Sequence, residues 1–398
     1  MATINPVPDM TAQEANTDTG LLVRLAAMPR EQLQGVLANL AASFPAGGVC
    51  VLSPDAIPSD SYPNLRIATA PATSNSWTLK ATDFLNAYQL AEQNRARAIL
   101  MLGSESNSLD ASALKSLAHA VLATPVDLAV SSYDLPPYAG LVNSAILYPL
   151  SHALFASSVR FPLAPDIGLS LRMAERLAVA AQRFAAISDG DTPLWPVNEA
   201  TVAGYTVGQF EVGARAPQQP AGPGLNTILP LVTGSLFSDI DAKAAYWQRF
   251  RPLPPVRNAN FGRESSIAEN SPDITPMMQA FRLAFTNLQE IWSLVLPPSS
   301  LLGLKRLAQT DGAAFRMPDS LWARIVYDFL LAYRLRTINR GHLLGALIPL
   351  YLAWVVSHIN ITASGVGIES HIEGVVAAFE DEKTYLVSRW RWPDRFNP

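Results

Sequence analysis

Ala98 to Ser131 reads AILMLGSESNSLDASALKSLAHAVLATPVDLAVS, and the fold of the chain turns on it. AILML is a five-residue apolar run that stops at Gly103, the length and punctuation of a buried strand. From Asp110 to Leu122 the apolar residues recur at helical spacing, with Ser108 placed to cap the helix. DLAVS, from Asp127 to Ser131, is again a short buried strand. A strand, a helix of about a dozen residues and a second strand make the unit of a parallel α/β sheet.

Outward from that unit the pattern repeats. GVCVLS (Gly48 to Ser53) and LRIAT (Leu65 to Thr69) are predicted strands, and Thr82 to Asn94 and Leu141 to Phe155 are predicted helices. Upstream, Leu21 to Phe44 has helical spacing, split by Pro29. Residues 1–20 are a polar arm. Downstream, a helix is expected from Leu169 to Ala186 and a β-prone piece from Tyr205 to Val212, before the proline- and glycine-rich Ala214 to Gly224. Beyond it the chain is helical: Leu225 to Phe250 with a break at Pro230, Thr275 to Leu296, Ser320 to Ile338, His342 to Ile359 and Gly367 to Leu386. Arg251 to Val256 and Asn258 to Pro272 are expected to be extended. The expected organisation is an arm, an α/β domain over 21–215 and an α-helical region over 225–398.

Composition narrows the function. Of 398 residues, 49% are hydrophobic and 16% charged, so the chain buries a large core rather than staying disordered. A net charge of -4 argues against a nucleic-acid partner. Cys50 is the single cysteine, which excludes an intramolecular disulfide and reads as a buried strand thiol. The acid-containing N-terminus has no signal-peptide pattern, and a cytoplasmic location is expected. His342 to Ile361 is close to a bilayer span in length, but Pro349, His358 and Asn360 within it favour a buried helix or an interface between copies of the chain. A homo-oligomer joined through the helical region is expected, and contact with a membrane surface is compatible with it. There is no phosphate-binding Gly-rich loop ending in Lys, no nucleophile elbow and no zinc-protease motif.

In an open α/β sheet ligands bind beyond the carboxyl ends of the strands. Those ends are Ser53-Pro54-Asp55, Gly103-Ser104-Glu105 and Ser131-Ser132-Tyr133, all small, polar or turn-forming.

The run YAGLVNSAILYPLSHALFASSVRFPLAPDIGLS, Tyr138 to Ser170, resembles a stretch of the retaining GT-A glycosyltransferases related to glucosyl-3-phosphoglycerate synthase and mannosylglycerate synthase. In that family a helix with a late proline leads into a Pro-Leu-Ala-Gly-Glu turn; here the turn is Pro162-Leu163-Ala164-Pro165-Asp166. The run from Asp319 to Ser357 also resembles bacterial relatives of the group. The similarity extends from about Gly47 onward, with loose motifs in the family's order.

The resemblance implies a Rossmann-like GT-A domain that transfers a sugar from a nucleoside-diphosphate donor to an acceptor. It places Ser53 and Asp55 at the base, with Ser59 and Asp60 nearby, Lys80 at the phosphates, and Ser104 and Tyr133 along the donor. It also implies a divalent Mg or Mn ion held by an Asp-x-Asp pair, and here the pair is Gly103 and Glu105. Glu105 is thus the one carboxylate left there, as metal ligand and catalytic group. The family's histidine ligand is missing from Val212 to Pro217, where Arg215 offers a fixed cation for the diphosphate instead. The arginine of the family's Tyr-x-Arg is Leu135. Asp166 matches the acidic residue near sugar and acceptor, and a helix N-cap is its rival role. Two alternatives stay open: a catalytically inactive scaffold of the same fold, and an unrelated doubly wound protein, which a different strand order or switch point would favour.

Overall fold

A computed structural model describes residues 20–55, 61–70, 78–187, 192–214, 224–249, 257–258 and 272–393. The expected arm, Ser59, Asp60, Arg215 and nearly all of 251–271 lie outside the described residues.

The N-terminal part is an eight-stranded sheet in the order β3-β2-β1-β4-β6-β5-β7-β8. Its strands are β1 (Leu21–Leu25), β2 (Val49–Ser53), β3 (Leu65–Thr69), β4 (Ala98–Leu102), β5 (Leu128–Asp134), β6 (Ile167–Ser170), β7 (Val207–Ala214) and β8 (Arg257–Asn258). β6 runs antiparallel between β4 and β5, and every other neighbouring pair is parallel. The helices of this part are α1 (Arg30–Ser43), α2 (Ala81–Gln93), α3 (Ala111–Ala123), α4 (Tyr148–Phe155), α5 (Leu171–Ile187) and α6 (Pro196–Ala203).

The C-terminal part is helical: α7 (Leu225–Ala242), α8 (Ala244–Trp247), α9 (Thr275–Asn287), α10 (Gln289–Ser293), α11 (Pro298–Ala308), α12 (Asp319–Leu335), α13 (Arg340–Ala363), α14 (Ile368–Asp381) and α15 (Lys383–Arg391). The class is the expected one, a mixed α/β fold with an α-helical C-terminal region. One apolar core lies on the sheet and a second fills the helical region. The second core also takes in Ala145 to Phe155 and Trp195, so α4 belongs by packing to the helices that follow it in sequence. α13 is long and apolar enough to cross a membrane, but most of it is buried among the other helices.

Several elements differ from expectation. Leu21–Leu25 is not helical: it is a strand flanked by β2 and β4, with all five residues buried, and the helix starts only after Pro29. A short apolar run buried on both faces carries no periodicity to separate it from the helix that follows. The same ambiguity hides β6, whose Ile167–Ser170 overlaps the helix expected from Leu169. A Cβ on Gly168 would lie 3.1 Å from the Leu117 carbonyl oxygen and 3.3 Å from the Ala129 Cβ, so glycine lets β6 lie close against α3. Asp110, not Ser108, caps α3, accepting from the Ala113 amide at 2.7 Å. The expected helix from Leu141 widens into a π turn over Asn143–Leu147 before α4. α7 runs through Pro230 to Ala242, and α6 and α11 have no counterpart among the expected elements.

Candidate functional site

β1 and β4 are neighbours, but the strands that follow them lie on opposite sides: β2 and β3 beside β1, β6 and β5 beside β4. Such a reversal is where open α/β sheets form a ligand crevice, here beyond the carboxyl ends of β1 and β4. Around it stand most of the residues singled out from the sequence. Ser53 ends β2, is fully buried, and accepts from the Asp55 amide at 3.2 Å, while Asp55 itself is exposed. Ser104 and Glu105 follow β4 and are half-buried; the Glu105 carbonyl accepts from Ser108. Lys80 immediately precedes α2, and its amide donates to the Asp83 carboxylate at 3.0 Å.

β1 also carries a buried cation that the sequence reading placed on a helix. Arg24, on β1, is 2% exposed and lies 3.8 Å from Asp83 of α2. Burial pulls the Arg24 guanidinium below its ordinary value, and Asp83 opposes that shift. The signal was one charged residue in LLVRL, visible only once that run is a strand.

Asp166 is fully buried at the start of β6. One carboxylate oxygen accepts from the Gly103 amide at 2.7 Å and the other from the Tyr133 hydroxyl at 2.8 Å. α5 begins only after β6, so Asp166 caps no helix. It ties the end of β4 to the end of β5. Tyr133 is 5% exposed and packs its ring against Phe161, with centroids 5.3 Å apart. The pairing of β5 with β7 slips between Ser132 and Asp134, a bulge that re-aims the chain at this point.

Beyond that bulge lies a cleft between the β5–α4 connection and α14. Arg160 is its polar centre and is 8% exposed. Its guanidinium donates to the Ser144 hydroxyl at 3.0 Å and to Glu369 of α14 at 3.3 Å. It also lies over the Tyr148 and Phe161 rings, at 5.1 and 5.2 Å from their centroids. Tyr138 lines the cleft with φ at 64°, a left-handed conformation that costs a bulky residue energy and clusters at functional sites. Its hydroxyl lies 3.2 Å from that of Thr362, and its ring stands edge-on to His358.

Behind Tyr138, the Nδ1 atoms of His358 and His371 are 2.6 Å apart, and His371 Nε2 lies 3.3 Å from Asp319. Burial, with His371 and Arg160 nearby, pushes His358 down to about 3. Arg160, Ser144, Glu369 and Tyr138 were not singled out from the sequence. The available signal was an arginine inside the apolar run SSVRFPLAP.

Among the described residues no three His, Cys, Asp or Glu side chains come together to hold a metal. Among the described residues, Glu105 and the already engaged Asp166 at the end of β4 do not fit a divalent ion, which needs several hard oxygen ligands free to bind it.

The geometry is that of an open α/β sheet whose strand order reverses at β1 and β4, with a cleft beyond β5. No family model matches the chain, and no curated protein matches it in sequence. Among solved structures it is similar to glucosyl-3-phosphoglycerate synthase from Mycobacterium tuberculosis. Against that enzyme in complex with phosphoglyceric acid the identity is 12% and the TM-score 0.36, covering 56% of this chain and 79% of that one. Against its complex with Mn²⁺, uridine diphosphate and phosphoglyceric acid the values are 14% and 0.38, covering 56% and 78%. A structure described as a mycobacterial protein gives 13% and 0.36, covering 56% and 74%.

Proposed function

We propose that the chain is a GT-A-type glycosyltransferase. It moves a sugar from a nucleoside-diphosphate donor in the crevice at β1 and β4 to an acceptor in the cleft beyond β5. The observation that carries this reading is Asp166. A transfer enzyme needs two substrates side by side, and this carboxylate links Gly103 at the crevice to Tyr133 at the cleft. The resemblance of Tyr138 to Ser170 to sugar transferases supplies the kind of donor. In this reading Lys80, the first turn of α2 and Arg215 meet the departing diphosphate, and Glu105 is the carboxylate nearest the reacting centre. No step is routed through a metal, because among the described residues no three metal-ligating side chains gather beside Glu105.

The test is thermal unfolding of the full chain with UDP- and GDP-sugars, each with Mn²⁺ and with EDTA. A donor at a hundredfold excess over its Kd stabilises by about 2.7 kcal/mol, and EDTA is expected to leave the shift intact. No shift with any donor sinks the proposal.

One observation favours a second reading, a binding protein without transfer activity. Both oxygens of Asp166 are engaged and the residue is fully buried, so the carboxylate matching the family's acidic position accepts protein donors rather than substrate. A donor-induced shift with no release of nucleoside diphosphate would select it.

A further inference from the structure

We infer that the cleft beyond β5 takes a neutral polyhydroxylated compound, a sugar, glycoside or polyol, in preference to a carboxylated or phosphorylated one. This names the acceptor class and so rests on the proposed transfer reading.

The cleft has a fixed, underused donor. Arg160 is held by Ser144, Glu369 and two aromatic rings, yet its buried Nη1 has no hydrogen-bond partner. A guanidinium carries five N–H donors, and a buried donor left unmade is costly. A ligand oxygen at Nη1 removes that cost.

Charge then selects among oxygens. Among the described residues lining the cleft, Arg160 is the one cation, and Glu369 and Asp134 are two carboxylates. Glu369 already neutralises Arg160 at 3.3 Å. His358, behind Tyr138, stays uncharged near neutral pH and adds no positive field. An anion docking at Nη1 meets an arginine whose charge Glu369 already offsets through Nε, and it sits beside both carboxylates. A hydroxyl group meets no such opposition: it accepts from Nη1 and donates its proton to Glu369 or Asp134.

The rest of the wall suits the C–H face of a sugar ring. Tyr138, Phe161, Pro136, Pro137 and Ile372 are apolar or aromatic, and Tyr138 is fixed in a strained backbone by Thr362 and His358.

Titration calorimetry on the full chain, with UDP-glucose present, tests this using methyl glucoside, glucuronate and glucose 6-phosphate as probes. The glucoside is expected to bind about tenfold more tightly than either anion. Glu369→Gln, on a half-exposed side chain, is expected to narrow that gap about tenfold by relieving the repulsion on the anions. Arg160→Lys is expected to weaken the glucoside about tenfold, since a point ammonium does not reproduce the fork. Tighter binding of either anion to the unaltered protein overturns the inference, and so does the absence of any glucoside binding. If UDP-glucose still stabilises the chain in that case, the transfer reading survives; if it does not, that reading has failed independently.

Discussion

The crevice at β1 and β4 and the cleft beyond β5 adjoin at Asp166, but they are assembled from different parts of the chain. The crevice is made from strand ends and helix starts within the sheet, its groups separated by a few dozen residues. The cleft joins Tyr138, Ser144 and Arg160 to Glu369, more than two hundred positions away. The first is thus a property of the sheet alone. The second exists only when α14 is packed onto α4. One change can therefore spare one site and remove the other, and Asp166 is where both fail together.

The largest effect is expected there. Asp166→Ala strips the acceptor from two donors in a fully buried position. Leaving both unsatisfied is expected to cost about 3–5 kcal/mol, read by urea denaturation. Asp166→Asn keeps one carbonyl acceptor and is expected to lose about half as much. Both donor and glucoside binding are expected to weaken. If the glucoside is unaffected, the two sites are not coupled through this residue.

Acid should separate the sites. His358 is neutral in the folded protein and pushed down to about 3, whereas an unfolded histidine titrates near 6.5. Its contribution is complete above about pH 6.5 and is lost as pH falls, because the unfolded chain then binds the extra proton. From pH 6.5 to 5 that amounts to about 2 kcal/mol. Asp328 has the opposite sign. Burial pushes it up to about 7 although Arg389 and Tyr385 are bonded to it, so its contribution is complete at low pH and lost as pH rises towards 7. The two trends oppose each other between about pH 4 and 6.5, so these two groups together are expected to add little slope there. Asp328→Asn is expected to expose a slope of about 1.4 kcal/mol per pH unit, with stability falling toward acid; His358→Gln is expected to expose a fall toward neutral pH. Charging His358 in the folded protein, near pH 3, disturbs the backing of Tyr138, so at that acid limit glucoside binding is expected to fade before donor binding does.

The different origins of the two sites explain how much the sequence revealed. Strands β2 and β4 are legible because a central strand buried on both faces must be apolar throughout, and their polar caps mark the ends of the sheet; β3, an edge strand, is legible as a short β-prone run despite Arg66. Ser53, Asp55, Ser104 and Glu105 stand at those caps, whereas Lys80 comes from the family resemblance and precedes α2. β1 and β6 were not legible, since four or five apolar residues beside a helix carry no period of their own. Asp166 was found from its place in a turn, but its buried clasp depends on β6 and could not be seen without that strand. The cleft left little trace. An arginine in one loop and a glutamate on a helix near the C-terminus meet only through the packing of the second core, and sequence spacing says nothing about such a meeting.

A change in that second core should therefore reach the cleft alone. Trp322 of α12 is fully buried and donates its indole N–H to the Ala145 carbonyl, inside the π turn that presents Ser144. Trp322→Phe keeps most of the apolar bulk but leaves that carbonyl unpaired. It is expected to cost about 1–3 kcal/mol in urea unfolding. Calorimetry on the same variant is expected to show weaker glucoside binding with donor binding unchanged. Weakening of donor binding would mean that the crevice also depends on the helical core.

The smallest effect isolates the strain at Tyr138. Its left-handed backbone is compensated by the contact with Thr362 and by the ring against His358. Tyr138→Phe removes the first and keeps the second, at an expected cost of about 0.5–1.5 kcal/mol. Tyr138→Gly removes both, but it also relieves a strain of about 1 kcal/mol, because glycine adopts positive φ freely. The glycine variant also loses the ring packed on the second core, so it is expected to be the less stable of the two, and the two differ in the cleft as well. The phenylalanine variant still presents a ring to the glucoside, and the glycine variant presents none. Equal loss of glucoside binding in both would show that the hydroxyl, not the ring face, makes the contact.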